Sequence, residues 1–303
     1  MITSALIYSA LELGFIYSFV ALALFLSYKI LNIADLTTDG TFTLGCAVSA
    51  VVALSGHPVL ALPAAMIAGA AAGTVTATLQ TRMGVPSILA GIITNTALYT
   101  VNLAVMGFSS NVNLLQTKTV FTMARDLLGS SLPSKLILSA LLSVLFCLLM
   151  ILFLRTRLGL SIHATGDNPD MVRASSINTS VTITVGLAMA NSLTALSGAL
   201  LAQYQRTADI NLGTGMVVIG LASLIIGQSG LGTRSPARLV LGALAGSILY
   251  RFVIAIALRL DLPAECLKLI SALIVGVTIG LPAIRNGIRL QKRKKEAHHA
   301  DTP

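Results

Sequence analysis

The sequence predicts an all-α, polytopic membrane protein of about nine transmembrane helices (eight to ten), arranged as two inverted repeats. Three observations carry this prediction. The 303 residues are 55% hydrophobic and only 10% charged, with a mean hydropathy of +0.87, whereas a soluble domain carries about 25% charged residues. Apolar runs at or slightly below the spanning length of about 17–25 residues recur along the whole chain. Short patterns in the first half also return in the second at offsets of 173 to 177 residues.

The spans follow in order. Span 1 covers about 5–27 and is followed by the polar stretch 28–40. Span 2 is short, about 41–55, and ends at Gly56-His57-Pro58. Span 3 covers about 59–80 and is broken by Arg82-Met83-Gly84-Val85-Pro86; span 4 covers about 87–107. A polar connection, 108–133, leads to a connector helix at about 135–154. The polar segment 155–178 comes next, then span 6 at about 179–204, a second short span at about 216–228, span 8 at about 237–258 and span 9 at about 264–284. The tail 285–303 is basic. The first apolar run has no basic leader and is interrupted by Glu12, so no cleavable signal peptide is expected.

Orientation follows from the basic residues. With the tail in the cytoplasm, 13 of the 20 Lys and Arg fall on the cytoplasmic side, as the positive-inside rule requires. The net charge of +9 is then a topology signal, and nucleic acid is not an expected partner. Alternation also makes the halves, about 5–107 and 179–284, inverted copies. Ala34-Asp35-Leu36 returns as Ala208-Asp209-Ile210, Gly40 as Gly213, Ala68–Gly73 as Leu241–Gly246, and Val85-Pro86 as Leu262-Pro263. Inverted repeats with short helices in matching positions point to a transporter with its pathway at the repeat interface. The pairs Gly69/Gly73 and Gly242/Gly246 are expected to let helices approach closely.

The segment 155–178 is too polar for the bilayer. Gly166-Asp167-Asn168-Pro169 reads as a turn and a helix start, with Asn168 as N-cap, Pro169 at the first helical position and Asp170 in the first turn. A short structured helix at the membrane surface is expected. Asp35 and Asp39 open span 2, where capping of that helix is the expected role. Polar groups within spans are few. Glu12 and Arg251 are expected to pair as a structural salt bridge. Asn95, Asn102 and Asn191 are candidates for a translocation path, and hydrogen bonding to a neighbouring helix stands as the other reading. Cys46, Cys147 and Cys266 lie in apolar runs and read as small hydrophobes, so neither a disulfide nor a metal site is expected. No nucleophile–base set suggests catalysis, and no G-x-x-x-x-G-K-[ST] loop is present to bind ATP.

The run L-R-T-R-L-G-x-x-I-x-A-T-G-D-N-P-x-x-x-R-x-S-x-I-N, Leu154 to Asn178, resembles the cytoplasmic coupling segment of ABC importer permeases of the branched-chain amino acid and ribose group. Asn168, Ile177 and Asn178 match that segment, and Ser175-Ser176 stands where the group has a small residue and Gly. Gly14–Leu36 is similar to the opening of branched-chain amino acid permeases, with Asp35 in place of a His. The resemblance implies a type II importer fold with an ATPase-coupling role for Gly166, Asp167, Asn168, Pro169 and Arg173. It further implies a second permease copy or paralogue, partner ATPase subunits that bind ATP and Mg, and an extracytoplasmic substrate-binding protein. Set in lipid, the whole would sit in a bacterial cytoplasmic (inner) membrane. The D-L-T-T-D-G variant and short loops look most like tryptophan and other aromatic amino acid permeases, with branched-chain amino acids next. The other mechanism open to such a chain is an ion-coupled secondary transporter or channel.

Overall fold

A computed structural model describes residues 4–129, 133–231 and 235–258, together with Leu269, Leu273 and Gly276. The elements are α1 (Ser4–Leu24, continued by a π-helical stretch, Phe25–Ile30), α2 (Thr38–Leu54), α3 (Ala61–Thr81), α4 (Ser87–Val105), β1 (Asn111–Asn113), α5 (Val120–Leu128), α6 (Ser134–Leu154), α7 (Arg157–Asp167), α8 (Pro169–Ala174), α9 (Thr179–Gln205), β2 (Thr207–Asp209), α10 (Met216–Leu231) and α11 (Pro236–Leu258). Among the described residues six helices are long and apolar enough to cross a membrane: α1 with its π-helical end, α3, α4, α6, α9 and α11. The chain is thus a multi-pass, mostly helical membrane protein. The two short spans expected from sequence are α2 and α10, 17 and 16 residues long. At 1.5 Å per residue each rises only about 25 Å, less than the hydrocarbon thickness of about 30 Å. Of the expected ninth span only Leu269, Leu273 and Gly276 are described; Cys266, the Leu262-Pro263 echo and the basic tail lie outside the described residues.

The interior helices are α1 and α9. Of their most apolar stretches 72% and 78% are buried, against 22% for α6, so the connector lies at the periphery. Their polar atoms are spent on helix contacts. The Ser197 hydroxyl on α9 donates to the Ile16 carbonyl at 2.7 Å, and the Ser247 hydroxyl on α11 donates to the Gly14 carbonyl at 2.8 Å. Helix α9 packs on α2 and α3, and α1 packs on α10 and α11.

Small residues set these approaches. A Cβ on Gly69 would lie 2.5 Å from both the Ala195 Cβ and the Asn191 carbonyl oxygen, and Gly73 is pressed on the Leu187 carbonyl. These contacts descend α9 as they climb α3, so the two helices are antiparallel. On α11, Gly242 and Gly246 meet Gly227 and Ser223 of α10 in the same antiparallel sense. Backbone contact of this kind is how helices gain van der Waals energy in lipid.

Antiparallel packing sorts the connections between two ends. Residues 82–86, 155–178, the end of α10 and the start of α11 gather at the end where α1 finishes. Residues 55–60, 106–129 and the strand pair gather at the other. There β1 pairs antiparallel with β2, with Val112 opposite Ala208. The connection 108–133, read from sequence as simply polar, thus holds β1 and α5, whose start is a capping box between Thr119 and Thr122.

Candidate functional site

Two places collect most of the polar residues that the sequence singled out. The first is the surface element α7–α8. Thr156 caps α7 by accepting the Gly159 N–H at 3.2 Å. Asn168 then caps α8, its Oδ1 accepting the N–H groups of Asp170 and Met171 at 3.1 Å each, with Pro169 at the first helical position. The expected helix start is present, and it is preceded by an 11-residue helix whose last two residues, Gly166 and Asp167, the sequence reading took for part of a turn.

The pair is fixed to the interior helices. Ile162 and Val172 are buried, and the Thr165 and Thr182 hydroxyls lie 2.8 Å apart. The Arg173 Nε donates to the Thr179 hydroxyl at 3.1 Å. Gly166 sits so close to the Ile30 carbonyl that any side chain would overlap it, which ties the end of α7 to the end of α1. The outer surface carries exposed Leu158, Leu160 and Met171 beside exposed Asp167, Asn168, Pro169 and Arg173.

The second place is where α2 and α10 meet N-terminus to N-terminus. The Asp39 carboxylate, in the first turn of α2, accepts the Gly215 and Val217 N–H groups at 2.9 Å each. The Thr43 hydroxyl accepts the Gly213 N–H at 3.1 Å. Asp39 therefore caps α10 and not its own helix, a correction to the sequence reading. The positive ends of two helix dipoles face each other here, and a carboxylate between them is favourable. Asp35 forms a turn ahead of α2, its Oδ1 accepting the Thr37 N–H at 2.9 Å.

Beside Asp39 lies a polar cavity of about 230 Å³, lined among others by Asp39, Thr43, Asn95, Tyr99, Asn102 and Asn211. Asn95 and Asn102 are seven residues apart on one face of α4. Asn102 Nδ2 donates to the Gly40 carbonyl at 3.0 Å, and its buried Oδ1 has no hydrogen-bond partner. Asn95 Oδ1 abuts Gly40, where a Cβ would come within 2.5 Å.

The third candidate, Asn191, is not in this cavity. It is buried on α9, its Nδ2 donating to Asp35 Oδ2 at 2.7 Å and to the Leu187 carbonyl at 3.0 Å, while its Oδ1 accepts the Thr41 hydroxyl at 2.8 Å. The other reading, hydrogen bonding between helices, describes it. Tyr99 and Asp39 were missed as cavity residues. The signal was available in Asp39, an acid inside a short apolar helix.

Glu12 and Arg251 do not pair. Glu12 Oε2 accepts the Tyr204 hydroxyl at 2.8 Å. The Arg251 guanidinium lies over the Tyr17 ring, 3.6 Å from its centroid, and the same ring stacks on Phe42 at 6.1 Å. Among the described residues the ion pairs are His163–Asp167 and Arg173–Asp170, both on α7–α8. Aromatic groups on α1 and α9 reach the two spanning charges first.

Comparison with known proteins agrees with this architecture. The family described as branched-chain amino acid transport system / permease component matches residues 6–285. The tyrosine transport system permease protein of Clostridioides difficile (strain R20291) is 35% identical over 271 residues, covering 89% of this chain and 88% of the relative. An uncharacterized protein of Rickettsia prowazekii is 30% identical over 89% of this chain and 95% of its own length. The autoinducer 2 import system permease protein of Yersinia enterocolitica is 27% identical over 84% and 70%. No solved structure matches the chain. The match over nearly the whole length, on a scaffold of packed apolar helices, means that the chain belongs to the branched-chain amino acid transport system permease family, the membrane-spanning components of type II ABC transport systems.

Proposed function

We propose that this chain carries an aromatic amino acid into the cell and is driven by a separate ATPase that docks on residues 161–178. The single observation that carries the docking reading is the α7–α8 pair. It is capped at both starts, wedged at Gly166 against the end of α1, bonded at Arg173 to the start of α9, and exposes apolar Leu158, Leu160 and Met171 among polar residues. A push on such an element is transmitted to the two most buried helices without being absorbed in a loose loop. Gly166, Asp167, Asn168, Pro169 and Arg173 are its working residues, and ATP and Mg are held by the partner.

The translocation path runs past the Asp39–Asn95–Asn102 cavity. Polar groups at the meeting of two short helices are supported there by protein and not by lipid. The two halves are inverted copies. The support is an exchange of partners: the first helix of each half, α1 or α9, packs on the second and third helices of the other. Asp209 also accepts the Asn211 N–H at 2.8 Å, repeating the Asp35–Thr37 turn 174 residues earlier. The α7–α8 end and the C-terminus face the cytoplasm in this reading, supported by the basic-residue bias of the sequence. The aromatic substrate rests on the relative named for tyrosine. A second permease copy or paralogue and an extracytoplasmic binding protein complete the assembly.

The test is purification of the tagged chain from its native membrane, with ATPase activity assayed on the eluate and labelled tyrosine, tryptophan and leucine uptake measured in cells. An ATPase should co-purify with the wild type and be lost when residues 163–175 are replaced by a Gly/Ser linker. Retention of the ATPase by the linker variant overturns the docking reading. Solute movement down a gradient by the chain alone would make it a secondary transporter. Preference for leucine over the aromatic amino acids overturns the substrate.

A further inference from the structure

We propose that the groove between α1 and α11 is a binding site for one anionic phospholipid, whose phosphate is held by Arg251. The groove, about 250 Å³, is walled by Leu6, Ala10, Leu13, Ile254 and Ala255, and Arg251 is its one charged lining residue. Ser9, also on its wall, already spends its hydroxyl on the Leu6 carbonyl at 3.1 Å. Arg251 therefore meets the groove as a cation among apolar side chains.

Nothing in the described protein neutralises that cation. Glu12, the one carboxylate on α1, turns to Tyr204 of α9. Tyr17 covers a face of the guanidinium but supplies no full negative charge. Arg251 Nε is buried with no hydrogen-bond partner. A guanidinium within a span calls for an anion or a route to water, and a planar donor fork fits phosphate oxygens in pairs.

Depth and shape choose the occupant. The groove runs along α1 from Leu13 to Leu6, about 10 Å along the helix axis toward its first residues. A long arginine side chain bridges much of such a distance to the headgroup level. A free anion would have to enter between apolar walls. A phospholipid brings the phosphate from the interface and lays its acyl chain along Leu13 and Ile254. Unlike the transport assignment, the site is independent of which solute is carried.

The experiment is native mass spectrometry of the full chain, purified and delipidated in detergent, then titrated with phosphatidylglycerol, with phosphatidylcholine of the same acyl chains, or with inorganic phosphate. The wild type should retain one phosphatidylglycerol per chain with about a tenfold preference over phosphatidylcholine. Arg251→Gln should lose that preference, and Arg251→Lys should keep part of it. Ala255→Trp fills the groove without touching the charge and should lower occupancy by both lipids, which keeps the test sharp if Arg251→Gln does not fold. Equal phosphatidylglycerol binding by wild type and Ala255→Trp overturns the site. So does a wild type without lipid preference, as expected if a second copy or another part of the chain covers the groove. Binding of inorganic phosphate with equal effect replaces the lipid by a soluble anion.

Discussion

The carboxylate of Asp39 accepts the backbone N–H of Val217 at 2.9 Å, 178 residues further along the chain. Its second oxygen accepts the Gly215 N–H at the same distance. One side chain in the first turn of α2 thus caps α10 and holds together the starts of the two short helices. Capping side chains contribute about 1–2 kcal/mol each. Asp39→Ala should lower the thermal midpoint of the purified protein, and Asp39→Asn, which keeps one acceptor and loses the charge, should fall between. Equal midpoints for all three would show that water replaces the cap without loss.

The approach of α3 to α9 depends on missing side chains. Gly69→Ala places a methyl 2.5 Å from the Asn191 carbonyl and the Ala195 methyl, a separation that forces the helices apart. Overpacking of this kind typically costs about 1–3 kcal/mol, and Gly69→Leu should exceed that. The yield of monodisperse protein in gel filtration should fall in the order wild type, Gly69→Ala, Gly69→Leu. Gly230→Ala, with nothing within 4 Å, should behave as wild type. A normal yield from Gly69→Leu would mean that α3 and α9 pack otherwise.

How far the sequence discloses this fold depends on the range of each interaction. The start of α8 was legible because Asn168, Pro169 and Asp170 are adjacent and their chemistry is local. The short α2 and α10 were legible from apolar run length alone. Helix α7 was not, because its exposed leucines and its Gly159 and Gly166 weaken both the apolar period and the helix propensity; contact with Ile30 and Thr182 supplies what propensity lacks. The partner of Asp39 lies on another helix, and no spacing rule reaches across 176 residues. Glu12 and Arg251 each announce a need for a partner. Helix rotation decides which, and here it presents Tyr204 and Tyr17 first.

Asp35 and Asn191 form a buried pair at 2.7 Å that also draws in the Thr41 hydroxyl. Asn191→Leu leaves one Asp35 oxygen and that hydroxyl unpaired. Buried groups stranded this way cost about 1–3 kcal/mol each, more for a charge. Asn191→Asp adds a second carboxylate beside the first and should be worse. Combining it with Asp35→Asn restores one amide and one carboxylate in exchanged places. Thermal midpoints should therefore show the double variant above Asn191→Asp alone, a coupling that independent sites do not give. Strict additivity would mean that the two side chains do not interact.

Asn168 separates a local from a global loss. Its side chain caps a helix of six residues, so removing it costs about 1 kcal/mol at that helix. Six residues have little cooperativity to resist this, and α8 should fray in Asn168→Ala. The spans should not, since Ile162 and Gly166 still anchor α7 through contacts that do not involve Asn168. The thermal midpoint should therefore hold while ATPase co-purification and uptake fall together. Asn168→Asp keeps an equally good cap and should keep both activities. A parallel loss in Asn168→Asp would point to the amide itself contacting the ATPase. Full activity in Asn168→Ala would remove α8 from the coupling element and leave α7 to carry it.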